Sequence, residues 1–356
     1  MLCRRRLLQC GAGTLAAKVF AQDGTRVRGD DNDATNTKIA HRLTAKTVTD
    51  DDLLFLKQIG LRWVRLEFDD VDVSFDALRA EQQRYARFGM RIFSCVHAAY
   101  RSEAIQLGLP GRDQKIDTYC RFLRDMGRLE IPVASYDFHP ANTYTTKMVE
   151  HRGYQTREFD LDDFRRRVEK QKFDREYSAE DIWSNYTYFM KAVLPVAQQS
   201  GVKLALHPDD PPLAKMNGVA KIFTHYDGYH RAEEIAGGSP AWGLTFCVGT
   251  WSEGGITMGK TVLEMIRDFG RRGKIFEVHF RNVSAPLPHF VETLPDEGYV
   301  DMYEVIKALR QVRFNGAAEP DHVPRLAGDT GILRAGTAYC ISYMNTVLRR
   351  ANQEVG

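Results

Sequence analysis

The sequence predicts an α/β protein folded as a (β/α)8 TIM barrel with a long loop after the fourth strand. Three observations carry this expectation. Eight short apolar runs recur through the chain, helix-length amphipathic segments separate most of them, and 356 residues with 43% hydrophobic content suffice for one large core. The runs are apolar almost throughout rather than alternating, as strands buried on both faces require. A doubly wound open sheet is the competing architecture. It is disfavoured because no Gly-x-Gly-x-x-Gly turn follows the first run.

The first 35 residues are set apart from the barrel, which is expected to occupy residues 36–356 as a single catalytic domain. "MLCRRRLLQCGAGTLAAKVFAQ" places three arginines before a weakly apolar stretch and ends in Val19-Phe20-Ala21, a small-residue cleavage pattern. The order Arg4-Arg5-Arg6-Leu7-Leu8 is similar to a twin-arginine signal, so export to the periplasm is expected; a disordered basic tail on a cytoplasmic protein is the alternative. The linker "QDGTRVRGDDNDATN" has almost nothing to bury.

The eight strand candidates are "KIAHRL", "RWVRLEF", "RIFSCVHA", "PVASYDF", "KLALH", "GLTFCV", "IFEVHF" and "GAAEPDH". Between them, "TDDDLLFLKQIG" has an acidic first turn and a glycine stop, and "DALRAEQQRYARFG" repeats the pattern. "DQKIDTYCRFLRDMG", "IWSNYTYFMKAVLPVAQQSG", "GKTVLEMIRDFGRRG" and "DMYEVIKALRQV" carry apolar residues at helical spacing, and "GTAYCISYMNTVLRRA" closes the chain. One connection breaks the rhythm: the charged stretch from His139 to Asp181 leaves the end of the fourth strand. Loops of that length usually serve a function, so a lid or substrate-covering excursion is expected there, with a solvated insertion as the alternative.

Composition excludes several functions. A net charge of +2 without a clustered basic face gives no case for nucleic acid. No apolar run approaches the ~18 residues of a membrane span. The six cysteines show no close-pair spacing, and a core this large does not need a disulfide framework.

In such barrels chemistry gathers at the C-terminal ends of the strands. Four consecutive predicted strand ends carry metal-ligand side chains: His207, Cys247, His279 and Asp321. They are separated by 40, 32 and 42 residues (247 − 207, 279 − 247, 321 − 279), about one strand–helix unit each. Two imidazoles, a thiolate and a carboxylate suit a divalent transition metal, and do not suit Ca2+ or Mg2+, which prefer oxygen shells. Taken singly, a histidine or cysteine at a strand end is often structural; their succession around one rim is the signal. Asp209 and Asp210 follow His207, where one of them can orient its imidazole; Asp209 is also a candidate substrate-binding group, and Asp210 is expected in a salt bridge or cap. Arg281 and Asn282 follow His279 as candidate substrate-binding groups, arginine being suited to a carboxylate. Tyr136 and His97 lie at earlier strand ends as further candidates, with Arg65, Glu67 and His139 less determined. His322, beside Asp321, is the candidate general base.

With these residues in hand, the sequence resembles the mannonate dehydratases, metal-dependent barrel enzymes of hexuronate catabolism. The likeness covers most of the chain after residue 40 and is most specific in "LALHPDDPP", "TFCVGTWSEGG", "VHFRNV" and "PDHVP". The resemblance implies a xylose-isomerase-like barrel. It places the family's metal ligands on His207, Cys247, His279 and Asp321, with His322 as the histidine after the aspartate and Mn2+ or Fe2+ as the ion. It implies dehydration of D-mannonate to 2-dehydro-3-deoxy-D-gluconate, with Asp321 and His322 at the catalytic centre. Two departures stand out. Val323-Pro324 replaces the glycine after Asp-His, and "RLAGDTGILRAGTAYC" has no Gly-Tyr, leaving Tyr339 inside the last predicted helix. The implied partner is a small sugar acid, and the sequence leaves room for a homo-oligomer. A metal-dependent sugar isomerase or epimerase, and a non-catalytic exported sugar-acid binding protein, are the competing functions.

Overall fold

The computed structural model describes residues 34–68, 73–140 and 144–355. The expected export signal and its cleavage site lie outside these residues.

Eight parallel strands close into a barrel: β1 (Lys38–Thr44), β2 (Trp63–Phe68), β3 (Arg91–His97), β4 (Val133–Tyr136), β5 (Lys203–Leu206), β6 (Trp242–Cys247), β7 (Ile275–Phe280) and β8 (Ala317–Pro320). Each pairs with its neighbours in sequence, and β1 closes on β8. All eight coincide with the apolar runs to within a few residues.

The barrel helices are α1 (Asp50–Gln58), α2 (Phe75–Arg87), α3 (Arg112–Arg128), α4 (Ala179–Ser200), α5 (Tyr226–Ile235), α6 (Val262–Arg271), α7 (Met302–Gln311) and α8 (Arg334–Val355). Capping boxes fix the starts of α1, α4 and α6, through Thr49 with Asp52, Ser178 with Asp181 and Thr261 with Glu264. The helix α5 is not predicted by the sequence pattern. It buries only Tyr229 and Ala232, too few residues to make a periodic apolar stripe.

Along the barrel axis the interior changes character. Ala40, Phe93, Val133, Ala205, Phe276 and Ala317 plug the N-terminal end with apolar side chains. Above them lies a polar layer. Arg65 Nη1 stands 2.9 Å from Glu319 and its Nε 3.8 Å from Glu277, while Ser94 donates to Glu277 at 2.5 Å. Of these groups, Arg65 lines the cavity described below.

The excursion after β4 folds into a hairpin of Lys147–His151 and Tyr154–Asp160, then a short helix, Leu161–Arg167. The second hairpin strand pairs antiparallel with His289–Thr293 from the connection after β7, which pairs in turn with Asn282–Val283. Two distant loops thus make one four-stranded sheet over the C-terminal end of the barrel. Phe159, Phe164, Met216, Val283 and Phe290 give that sheet its own small core. Among the described residues no helix is long and apolar enough to cross a membrane.

On the helix-facing side of β1, His41 sits between Ile39 and Leu43, and burial pushes its imidazole down to about 4. The unfolded chain binds a proton near 6.5, which the folded chain refuses until about 4. Stability from this residue is therefore present above the unfolded value and lost as pH falls toward the folded one, by up to ~3 kcal/mol. His41→Gln is expected to flatten that part of the pH dependence in urea unfolding. Identical slopes in both proteins would assign the acid sensitivity to other groups.

Candidate active site and metal centre

The ends of β5 to β8 converge at the C-terminal rim. His207 directly follows β5, Cys247 is the last residue of β6, His279 lies on β7 and Asp321 directly follows β8. Register sets the spacing, with Cys247 opposite His279 and His279 opposite Glu319. One ligand atom from each of His207, Cys247 and His279 lies within 4.8 Å of the others. Asp321 Oδ2 stands 3.7 Å from His279 Nδ1, beside this group.

The surroundings of the two imidazoles favour opposite tautomers. His207 Nδ1 lies 2.7 Å from the Pro208 carbonyl, and His279 Nε2 lies 3.2 Å from Glu319 Oε1. The Pro208 carbonyl accepts only, so His207 Nδ1 carries its proton, and the nearby Glu319 carboxylate favours a proton on His279 Nε2. That leaves His207 Nε2 and His279 Nδ1 facing each other at 3.1 Å with their lone pairs. Two lone pairs at that distance repel, whereas nitrogens bound about 2.0–2.1 Å from one ion adopt such spacings naturally. Carboxylate or carbonyl support of the second nitrogen is how ligating histidines are usually oriented.

Three donors converge on the Cys247 sulfur. The Thr250 amide and hydroxyl donate to its sulfur at 3.3 and 3.2 Å, and Arg281 approaches at 3.6 Å. The surrounding charge also favours a cation. The fully buried Arg281 meets Asp210 at 2.7 Å, Glu292 at 3.0 Å, Asp321 at 3.2 Å and Glu253 in a close ion pair. One guanidinium among four carboxylates leaves negative charge over. Burial pushes Glu253 well above the usual carboxylate range, against the pull of Arg281. Asp321 is also opposed by burial, but His322, His279 and Arg281 together hold it well below that range. Burial depresses His207; for His279 burial also pulls down, but Asp321, Cys247 and Glu319 together raise it. These donors fit a divalent transition metal.

Over the cluster lies a cavity of about 280 Å³. His207, Asp209, His279, Asp321, His322 and Tyr136 line it; Cys247, Arg281, Asn282 and His97 are not part of its wall. Arg281, expected to meet substrate, is instead the buried hub just described, and Gly249 makes room for it: a Cβ there would come 2.5 Å from Arg281 Nε. Asn282 clamps the following loop through the carbonyls of Pro295 and Val300. His97 accepts from the Ala99 amide and stacks on Phe122 at 4.4 Å. The Tyr136 hydroxyl turns away from the cavity toward Tyr186, 3.1 Å away. Asp209 accepts from the Phe223 amide at 2.9 Å, and burial pushes its carboxyl up to about 6 against the Lys221 charge. Tyr339 is on the surface, bonded to Asp296.

His322 lies at the cavity edge with φ 50°, in the left-handed region that non-glycine residues rarely occupy. Its Nδ1 stands 2.8 Å from Glu292 Oε1. That bond leaves Nε2 as the free lone pair, 3.8 Å from Asp321 Oδ1. Glu292 is not evident from sequence, because it belongs to the sheet contributed by the loop after β7. Arg42 in the cavity wall, and Glu319 and Glu277 paired with Arg65, are further groups absent from the sequence expectation, although a signal exists for the glutamates: Glu277-x-His279-x-Arg281 and Glu319-x-Asp321 repeat at the two-residue period of one strand face.

The family model for D-mannonate dehydratase (UxuA) matches residues 152–354, more than half of the chain. The chain belongs to the D-mannonate dehydratase family. The matched region includes all four rim side chains, Glu292 and His322. Among relatives, Mannonate dehydratase 2 of Halalkalibacterium halodurans is 29% identical over 78% of this chain and 88% of its own. The mannonate dehydratase of Streptococcus pneumoniae is 33% identical over 64% and 68%. The crystal structure of mannonate dehydratase from Streptococcus suis serotype 2 superposes with a TM-score of 0.82 at 28% identity, covering 90% of this chain and 96% of that one. A xylose isomerase domain protein from Planctomyces limnophilus shares the fold alone, with a TM-score of 0.60 at 11% identity over 89% and 98%. The xylose-isomerase-like barrel expected from sequence is therefore the observed fold.

Proposed function

We propose that this chain is a metal-dependent hydro-lyase that removes water from D-mannonate to give 2-dehydro-3-deoxy-D-gluconate. Family membership supports the reaction. The observation within the molecule that carries it is the meeting of the ligand cluster with the His322–Glu292 pair at one cavity. His207, Cys247, His279 and Asp321 would hold the ion, with Mn2+ or Fe2+ the proposed metals. When bound, the ion supplies Lewis acidity toward the substrate's carboxylate and adjacent hydroxyl.

The residues of the chain do the rest. The proton on the carbon beside the carboxylate is weakly acidic and needs a base held in place. His322 presents its Nε2 lone pair to the cavity, and Glu292 fixes that tautomer from behind. Proton removal and departure of the 3-hydroxyl as water leave an enol, which ketonises to the 2-keto acid. Glu319 and the Pro208 carbonyl orient the ligating imidazoles, and the overlying sheet contributes Arg157 to the cavity wall.

The test is product analysis across a panel of aldonic and uronic acids. Metal-loaded protein is expected to convert D-mannonate to a 2-keto-3-deoxy acid and to lose this activity on chelation. Failure with the whole panel would overturn the reading.

A further inference from the structure

Four arginines line the cavity, and three are already paired. Arg65 is bound to Glu319 and Glu277, and Arg101 meets Glu67 at 2.9 Å and Asp137 at 3.2 Å. Arg42 lies 3.7 Å from Glu67 and 3.9 Å from Asp321. Arg157 alone has no carboxylate within ion-pair distance among the described residues. It is also the one contributed by the excursion after β4, on the strand Tyr154–Asp160.

Its place relative to the base is set by strand register. Glu158 pairs with Val291, and the Thr156 hydroxyl donates to the Glu292 carbonyl at 2.9 Å. One step beyond that registered pair come Arg157 on one strand and Glu292 on the other, and residues opposite each other in an antiparallel pair share a face. Arg157 therefore lies on the same face as the carboxylate that holds His322. A base that removes a proton from the carbon beside a carboxylate must work next to whatever binds that carboxylate. An unpaired guanidinium on a cavity wall is the group best shaped for the task.

We propose that Arg157 binds the substrate's carboxylate and makes the site selective for sugar acids over neutral analogues. The assignment rests on the dehydratase reading of the cavity. The hairpin then adds a charged contact to the carboxylate beside the ion held at the barrel rim.

The experiment measures binding to metal-loaded protein by calorimetry. The probes are the 3-deoxy analogue of D-mannonate, which has no hydroxyl to lose, and its neutral amide. The wild-type protein is expected to bind the acid about 10–100-fold more tightly than the amide, the scale of a charge-assisted hydrogen-bond pair. Arg157→Gln is expected to erase most of that gap by weakening the acid alone, and Arg157→Lys to retain part of it. A gap that persists in Arg157→Gln would overturn the proposal. So would equal weakening of acid and amide, which would make the residue a support for the hairpin. Turnover of D-mannonate by the wild-type protein is followed separately. A normal acid–amide response without turnover would reject the dehydratase reading and leave the carboxylate site standing.

Discussion

Protein purified without chelators is expected to carry close to one divalent transition-metal ion per chain, and Cys247→Ser to lose most of it. The sulfur is the one soft ligand in the cluster, and Thr250 and Arg281 both donate to it. A serine hydroxyl there would stay protonated and bind a borderline metal weakly. The paired substitution His207→Ala with Asp321→Ala is expected to abolish binding. It also removes a facing lone pair and one of the four carboxylates around Arg281. Elemental analysis gives the stoichiometry, and circular dichroism checks that the barrel persists. Full metal content in the double variant would rule out a metal centre at this rim.

His322→Asn is expected to keep its metal and its affinity for sugar acid while turnover falls by ~10²-fold or more, the usual scale for losing a positioned base. Asparagine is the suitable replacement because it tolerates the left-handed backbone found at this position. The Nδ1 bond to Glu292 leaves Nε2 as the reactive nitrogen, so loss of the ring removes the base without disturbing the ligands. Steady-state kinetics separates the possibilities. A change confined to KM would make His322 a binding residue, and unchanged kcat would place the base elsewhere in the cavity.

Much of this arrangement is legible in the sequence because barrel closure is a repeat. Ligand-type residues spaced by one strand–helix unit must meet at one rim, so spacing alone groups His207, Cys247, His279 and Asp321. The strands are equally legible, since burial on both faces leaves a continuous apolar run. What stays hidden depends on contacts between distant loops. Arg281 reads as a substrate fork when only its neighbours in sequence are visible. Its real partners, Asp210, Glu253, Glu292 and Asp321, come from four separate connections and strand ends. Glu292 and Arg157 become part of the site only because two excursions pair into one sheet, and no local pattern encodes that pairing. His97 and Asn282 have ligand-type side chains, but both are consumed by local turns. The helix α5 leaves no sequence signal because its buried face is only two residues wide.

In the proposed reaction this cavity removes a proton beside the carboxylate and expels the neighbouring hydroxyl. The most direct measurement is incubation of metal-loaded protein with D-mannonate in deuterated water, followed by mass spectrometry and NMR of the product. The expected product is 2-dehydro-3-deoxy-D-gluconate with solvent deuterium at carbon 3, where the enol takes up its proton. Deuterium at carbon 2 of an epimerised acid, with no loss of water, would contradict the dehydration and identify an epimerase instead.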